Sequence, residues 1–272
     1  MLRRTALVAV VAAMLGAPSI TVTPAEAAPK VTNIAHRGAS HDAPENTLAA
    51  MRLAVKARAD LVETDVQRTK DGHLVLVHDT TLARTTDVEQ VFPDRAPWKI
   101  SEFTLAEIKR LDAGSWKDPK YRGERVPTLR ELLATLAGTR VGLLLEAKAP
   151  ELYPGIEHAI AEQLGRASAW RGRVRVQSFN WEWIKTYRGL APKAVLGVLG
   201  TPEVGELAEI ARYSNQVNPP HASATAEYIA AVHKHGMEVN VWTVDTPDLM
   251  RTLISREVDG IITNRPDVLR AL

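Results

Sequence analysis

Residues 60–66 read Asp60-Leu61-Val62-Glu63-Thr64-Asp65-Val66, and after Thr69-Lys70-Asp71-Gly72-His73 a second apolar run follows, Leu74-Val75-Leu76-Val77. The first run is short, apolar and β-rich, so it predicts a strand. Asp71-Gly72 readily takes the positive φ angles of a tight turn, so the second run folds back beside the first as a hairpin. Further apolar runs lie at 31–35, 141–146, 174–178, 194–199, 216–218, 238–243 and 259–263. Between them, at 47–59, 128–137, 156–164, 224–235 and 246–254, apolar residues recur at three and four positions, the helix period. This alternation predicts an α/β fold, a (β/α)8 TIM barrel, over residues 28–272. A doubly wound parallel sheet gives the same alternation and is the competing architecture. Pro219-Pro220 cuts the sixth barrel strand short. Residues 80–127 are polar and rich in Pro and Gly, with one helix-like piece at 105–111. That is too long for a simple connection and predicts a small insertion over one barrel face after the second strand.

The chain has 272 residues, 34 Lys+Arg against 32 Asp+Glu for a net charge of +2, and no cysteine. Such a balance argues against a dedicated nucleic-acid binder. Without thiols, any metal site must use carboxylates, His or carbonyls. At the start, Arg3 and Arg4 precede an apolar run over 6–16, too short to span a bilayer core of about 30 Å. Ala25-Glu26-Ala27 is the small-x-small pattern of a cleavage site. Residues 1–27 therefore predict a signal peptide cut after Ala27, by a general or twin-arginine route, leaving a secreted chain with no stable membrane anchor.

Catalytic groups of a parallel barrel sit at the C-terminal ends of its strands. Here those ends carry Ala35-His36-Arg37-Gly38, Glu63-Thr64-Asp65, His78-Asp79 after the hairpin, and Glu146-Ala147-Lys148. Glu63 and Asp65 are two apart on a strand and leave the same face, and Glu146 comes from the next barrel strand. Crowded carboxylates repel unless a cation or base neutralises them. Three oxygen donors suit one hard divalent ion, Ca²⁺ or Mg²⁺; alternatively the same carboxylates pair with Arg37 and Lys148. His36 and His78 could serve as general acid and base, or as hydrogen-bonded core histidines. Arg37 and Lys148 could hold phosphate or act as counter-ions.

Taken in order, His36-Arg37-Gly38, Pro44-Glu45-Asn46-Thr47, Glu63-Thr64-Asp65-Val66, Thr69-Lys70-Asp71-Gly72, His78-Asp79, Glu146-Ala147-Lys148, Gln177-Ser178-Phe179, Val241-Trp242-Thr243-Val244 and Asp259-Gly260-Ile261-Ile262-Thr263-Asn264 resemble the signature blocks of the glycerophosphodiester phosphodiesterase family. The resemblance runs from residue 33 to residue 267. It implies a (β/α)8 barrel, a divalent metal, and hydrolysis of glycerophosphodiesters, small-molecule substrates, to glycerol 3-phosphate and an alcohol. By position, Glu63, Asp65 and Glu146 correspond to its metal ligands, His36 and His78 to its acid/base pair, and Arg37 and Lys148 to groups that hold phosphate. A related barrel phospholipase, or a catalytically silent glycerophosphodiester-binding protein, would share many of these residues.

Two departures stand out. Thr64 occupies a position that is commonly apolar in the family, and Asn264-Arg265 stands where an acidic residue and an aromatic commonly precede the proline. Glu45 could be a metal ligand, direct or indirect, or help fix the start of the following helix, where Asn46 or Thr47 could cap. Trp181 and Trp183 could face a substrate's apolar or quaternary ammonium group or pack their helix on the barrel. Trp242 and Gln177 are further candidates for contact with substrate. His41, His73, His158, His221, His233 and His235 lack a carboxylate cluster in sequence and are expected to be solvated or structural.

Overall fold

In the computed structural model, residues 31–166, 170 and 172–272 are described. The expected signal peptide, 1–27, lies outside them. The hydrophobic runs become β1 (Thr32–Ala35), β2 (Leu61–Arg68), β3 (Leu74–Leu76), β4 (Gly142–Ala147), β5 (Val174–Ser178), β6 (Val195–Leu199), β7 (Gln216–Asn218), β8 (Glu238–Val241) and β9 (Gly260–Thr263). All but β3 are parallel, paired in the order β1-β9-β8-β7-β6-β5-β4-β2, and β1 pairs with β2 to close the ring. Closure rules out the open doubly wound sheet. Strand β3 pairs antiparallel with the upper half of β2, Val66 opposite Leu76, across a turn in which Gly72 takes φ +89°.

Period-two alternation sorts β2 and β4 into two layers. Val62, Val66, Leu143, Leu145 and Ala147 belong to the main apolar core, together with residues of the surrounding helices such as Met51, Leu132 and Leu253. Ile34, Leu61, Leu144 and Ile262 form a separate small cluster, with Trp242 against it. Full burial of each such side chain contributes about 1.5–3 kcal/mol. Register then sets the polar layer above it. Asp65 pairs with Glu146 across β2 and β4, and Glu146 with Gln177 across β4 and β5. Three polar side chains on neighbouring strands thus share one level.

Several expected boundaries shift. Strand β8 stops at Val241, two residues short of the apolar run, because Trp242 leaves the ladder for an isolated bridge with Pro220. The segment after β3 holds more than one helical piece: Val88–Val91, Pro93–Arg95, Ile100–Glu102, Leu105–Ile108 and Pro119–Tyr121 are all short helices. Leu105–Ile108 is set by a capping box in which Thr104 and Glu107 satisfy each other's backbone N–H. These pieces share an apolar cluster with Val75 and Val77 that includes Leu82, Ile100, Phe103 and Leu111. Tyr121 Oη donates to the carbonyl of Asp42 at 2.6 Å, tying this segment to the loop after β1. Among the described residues no helix is long and apolar enough to cross a membrane.

Candidate active site

The loop after β1 turns abruptly. Arg37 and Gly38 both take positive φ, +55° and +82°, and a Cβ on Gly38 would lie 2.7 Å from the Ala50 backbone. The turn aims the Arg37 N–H at Glu63, to whose Oε2 it donates at 2.8 Å. Asn46 also sits in the left-handed region, at φ +58°, which Asn tolerates better than most residues. From there its amide donates to Asp65 Oδ2 at 2.8 Å, while its oxygen accepts the Thr64 hydroxyl at 2.7 Å. Thr64 thus faces away from the carboxylates and steadies the residue that holds one of them. Thr47, the helix cap, accepts from the Ala50 N–H.

Glu63, Asp65 and Glu146 each present an oxygen within 4.8 Å of the others, and all three are buried. Burial, then the charges of Asp65 and Glu146, push Glu63 well above the ordinary carboxylate range. Burial and the Asp65 charge raise Glu146 to about 7, against the nearby charge of Lys148. Lys148 Nζ donates to Glu146 at 2.9 Å and stands 3.7 Å from Asp65 Oδ1. Asp65 Oδ1 is buried without a hydrogen-bond partner. A buried orphan oxygen beside two carboxylates whose ionisation is disfavoured fits a hard divalent cation, and these three residues could hold one.

The histidines stand beside this triad, each with Nδ1 engaged. His36 Nδ1 is 2.7 Å from Asn264 Oδ1, and His78 Nδ1 is 2.7 Å from Asp79 Oδ1. Burial, then the charge of Arg37, lowers His36 to about 4, against the raising effects of Asn264, Asp65 and Glu45. His36 is therefore neutral at pH 7.

A cavity of about 260 Å³ is lined by His36, Arg37, Glu63, His78, Glu146, Lys148, Gln177 and Trp242, with Phe179, Leu199 and Ile262. Asp65, 1% exposed, lies within the cluster beneath. Candidate residues from six separate stretches of the chain, at 36–37, 63–65, 78, 146–148, 177 and 242, are thus brought together. Trp242 donates from Nε1 to the Asn218 carbonyl at 2.8 Å, and Gln177 accepts from the Asn218 amide at 2.7 Å. Trp181 and Trp183 do not line the cavity. Trp181 donates to Leu199, and Trp183 stacks on Tyr187 with centroids 5.0 Å apart. The half-exposed ring on this wall is Phe179, edge-on to Trp242 at 5.8 Å. His233 pairs with Asp259 at 2.8 Å, a structural contact.

Glu45 lies outside the carboxylate triad and does not cap the helix. It bonds Arg37 Nη1 at 2.8 Å and receives both terminal nitrogens of Arg84 at 2.8 Å. Against its burial, Arg84 and Arg37 hold it at about 2. The same Arg84 donates through Nε to Asp79 at 2.6 Å, and its hydrogen bond, with that of His78, holds Asp79 at about 2. Arg84 is absent from the motifs, and sequence gives no sign that it braces the loops carrying both Arg37 and His78. Asp245 is equally silent in sequence; it receives the Asn264 backbone and side-chain amides at 2.8 and 2.7 Å.

The sequence profile of the glycerophosphoryl diester phosphodiesterase family matches residues 36–268. A glycerophosphodiester phosphodiesterase from Caldanaerobacter subterraneus is 38% identical over 245 residues, covering 88% of this chain and 96% of its own. A crystal structure of glycerophosphodiester phosphodiesterase from Agrobacterium tumefaciens superposes with a TM-score of 0.77 at 29% identity, over 89% of this chain and 100% of that one. A phosphodiesterase from Oleispira antarctica, solved with the product sn-glycerol-3-phosphate, gives 0.78 at 29% identity, over 88% and 94%.

Proposed function

The chain belongs to the glycerophosphoryl diester phosphodiesterase family, and from that premise we propose that it hydrolyses glycerophosphodiesters to glycerol 3-phosphate and an alcohol with one divalent cation, Ca²⁺ or Mg²⁺. The observation that carries this reading is the convergence of Glu63, Glu146, two histidines, Arg37 and Lys148 on one cavity, with Asp65 completing the buried carboxylate triad. A cation held by Glu63, Asp65 and Glu146 would supply positive charge for the phosphoryl oxygens, where charge accumulates in transfer.

The remaining work falls to the protein's own groups. Arg37 gives one Nη1 hydrogen to Glu45 and turns Nε toward Asp65 Oδ2, 3.4 Å away, and its other terminal N–H groups would serve a phosphoryl oxygen. Lys148 adds a point charge beside Glu146 and Asp65. His36, neutral and with Nδ1 bound, offers Nε2 as proton acceptor to the attacking oxygen, either that of water directly or that of a glycerol hydroxyl whose cyclic phosphate water then opens. His78, its ring oriented by Asp79 at Nδ1, is the group to protonate the departing alkoxide. The apolar wall of Phe179, Leu199, Trp242 and Ile262 faces the carbon skeleton of the substrate.

Purified protein supplied with either ion is expected to release glycerol 3-phosphate from glycerophosphocholine, and His36→Ala or His78→Ala to lower turnover at least about 100-fold without loss of fold. Undiminished turnover in both variants would contradict the assignment of acid and base. Equal cleavage of intact phosphatidylcholine would favour a lipid hydrolase instead. The proposal extends to export: residues 1–27 would be removed, so that protein recovered from the culture medium starts at Ala28. A full-length N-terminus on the recovered protein would contradict it.

A further inference from the structure

The His36 ring can carry its single neutral-state proton on either nitrogen, and only one choice makes Nε2 a base. Its partner at Nδ1 is an amide side chain, Asn264, which could present either oxygen or nitrogen. The choice is made one residue further out. Asp245 accepts the Asn264 backbone N–H on Oδ1 at 2.8 Å and the Thr263 hydroxyl on the same oxygen at 3.1 Å. Its Oδ2 faces the Asn264 side-chain amide at 2.7 Å. A carboxylate has no proton to donate, so the group facing it must be the NH2 of Asn264. The amide oxygen is thereby turned to His36 Nδ1, 2.7 Å away. An oxygen there can only accept, which places the ring proton on Nδ1 and leaves Nε2 bare. The Ser40 hydroxyl lies 2.7 Å from both Asn264 Oδ1 and the His36 carbonyl; its one proton serves either acceptor in turn, and the Asp245 carboxylate on the far side of the amide sets the orientation.

We propose that Asp245 and Asn264 form a positioning pair that fixes the His36 tautomer, making its Nε2 the proton acceptor of the reaction. The inference rests on the phosphodiesterase reading for its kinetic consequence, while the tautomer itself can be observed directly. It also gives the Asn264 departure a role: an uncharged amide orients His36 without adding a charge that would favour the imidazolium.

The pair is tested by exchanging its members. In Asp245→Asn, an NH2 group replaces Oδ2 and meets the NH2 of Asn264, which must rotate. Its nitrogen then faces Nδ1, and the ring proton moves to Nε2. Wrong-tautomer histidines lose up to about 10⁴-fold in turnover, and a loss of about 100-fold or more in kcat with little change in KM is expected here. Asn264→Asp sets two carboxylates against each other and should fail similarly. The double variant Asp245→Asn/Asn264→Asp restores a donor–acceptor match with the roles reversed. It should recover kcat at least about tenfold above the poorer single variant, while staying below the parent because the carboxylate now facing Nδ1 favours the imidazolium.

Nitrogen NMR of ring-labelled protein at pH 8, with His36→Ala to assign the signal, reads the tautomer independently of activity. The expected pattern is Nδ1–H in the parent and the double variant, and Nε2–H in Asp245→Asn. A folded Asp245→Asn protein that keeps the Nδ1–H signal overturns the proposal. So does a double variant no better than the poorer single variant while melting like the parent. A parent protein with the Nδ1–H signal but no turnover would refute the enzymatic reading and leave the pair's structural role intact.

Discussion

Asn46 binds Asp65 with its amide nitrogen and Thr64 with its amide oxygen, at 2.8 and 2.7 Å, from a left-handed backbone at φ +58°. One loop residue thus fixes the rotamer of a buried carboxylate through two residues of the strand that carries it. Its contributions can be separated. Asn46→Gly keeps the backbone conformation at little cost and removes only the amide, so activity should fall about 10–100-fold, as for other groups that orient metal-site ligands. Asn46→Ala adds the strain of a left-handed alanine, about 1–2 kcal/mol. Steady-state rates and melting curves of the two variants should therefore differ mainly in stability.

Gly38 is required for shape. Its φ of +82° and the 2.7 Å approach to the Ala50 backbone mean that Gly38→Ala must displace the helix Leu48–Lys56 or the turn that aims Arg37 at Glu63. A loss of about 2 kcal/mol or more is expected, which lowers the melting temperature by about 4–8 °C in a domain of this size. Unchanged thermal unfolding would refute the close approach.

The carboxylate cluster should also govern stability against pH. Glu146 is raised to about 7 by burial and Asp65, so between about 4.5 and 7 the folded protein holds a proton that the unfolded chain has released. Its contribution is complete below about 4.5 and lost as pH rises through 7. His36, lowered to about 4, acts oppositely over nearly the same range, so the parent's net profile is not diagnostic. The difference between Glu146→Gln and the parent removes the His36 contribution and reads Glu146 together with its repulsion of Glu63. Metal-free Glu146→Gln should gain stability relative to the parent as pH rises from 4.5 to 8, by at most on the order of 3 kcal/mol. Chemical denaturation at the two pH values measures it, and a difference that stays flat would contradict the burial of an ionising Glu146.

Much of this arrangement was legible because strand geometry is periodic. Glu63 and Asp65 had to share a face, and Glu146 had to lie one strand away; the observed pairing of Asp65 with Glu146 is the consequence. The residues that sequence did not reveal act through loops. Arg84 reaches Glu45 across 39 positions, and Asp245 reaches Asn264 across 19. Neither contact has a period or spacing to announce it. For Trp181 and Trp183 the sequence left substrate contact and helix packing open, and packing is what the structure shows. An aromatic after a strand end could face either way, and helix Trp181–Leu190 turns both onto neighbouring protein groups, leaving Phe179 at the cavity.

The account stands on a cation held by three carboxylates in a phosphodiesterase site. The most direct measurement is release of sn-glycerol 3-phosphate from glycerophosphocholine by protein treated with EDTA, dialysed, and then supplied with Ca²⁺ or Mg²⁺. The account predicts that turnover disappears with the chelator, returns with at least one of the two ions, and fails to return at the same concentration in Glu63→Gln or Asp65→Asn. Full turnover in chelator-treated, metal-free protein would contradict it.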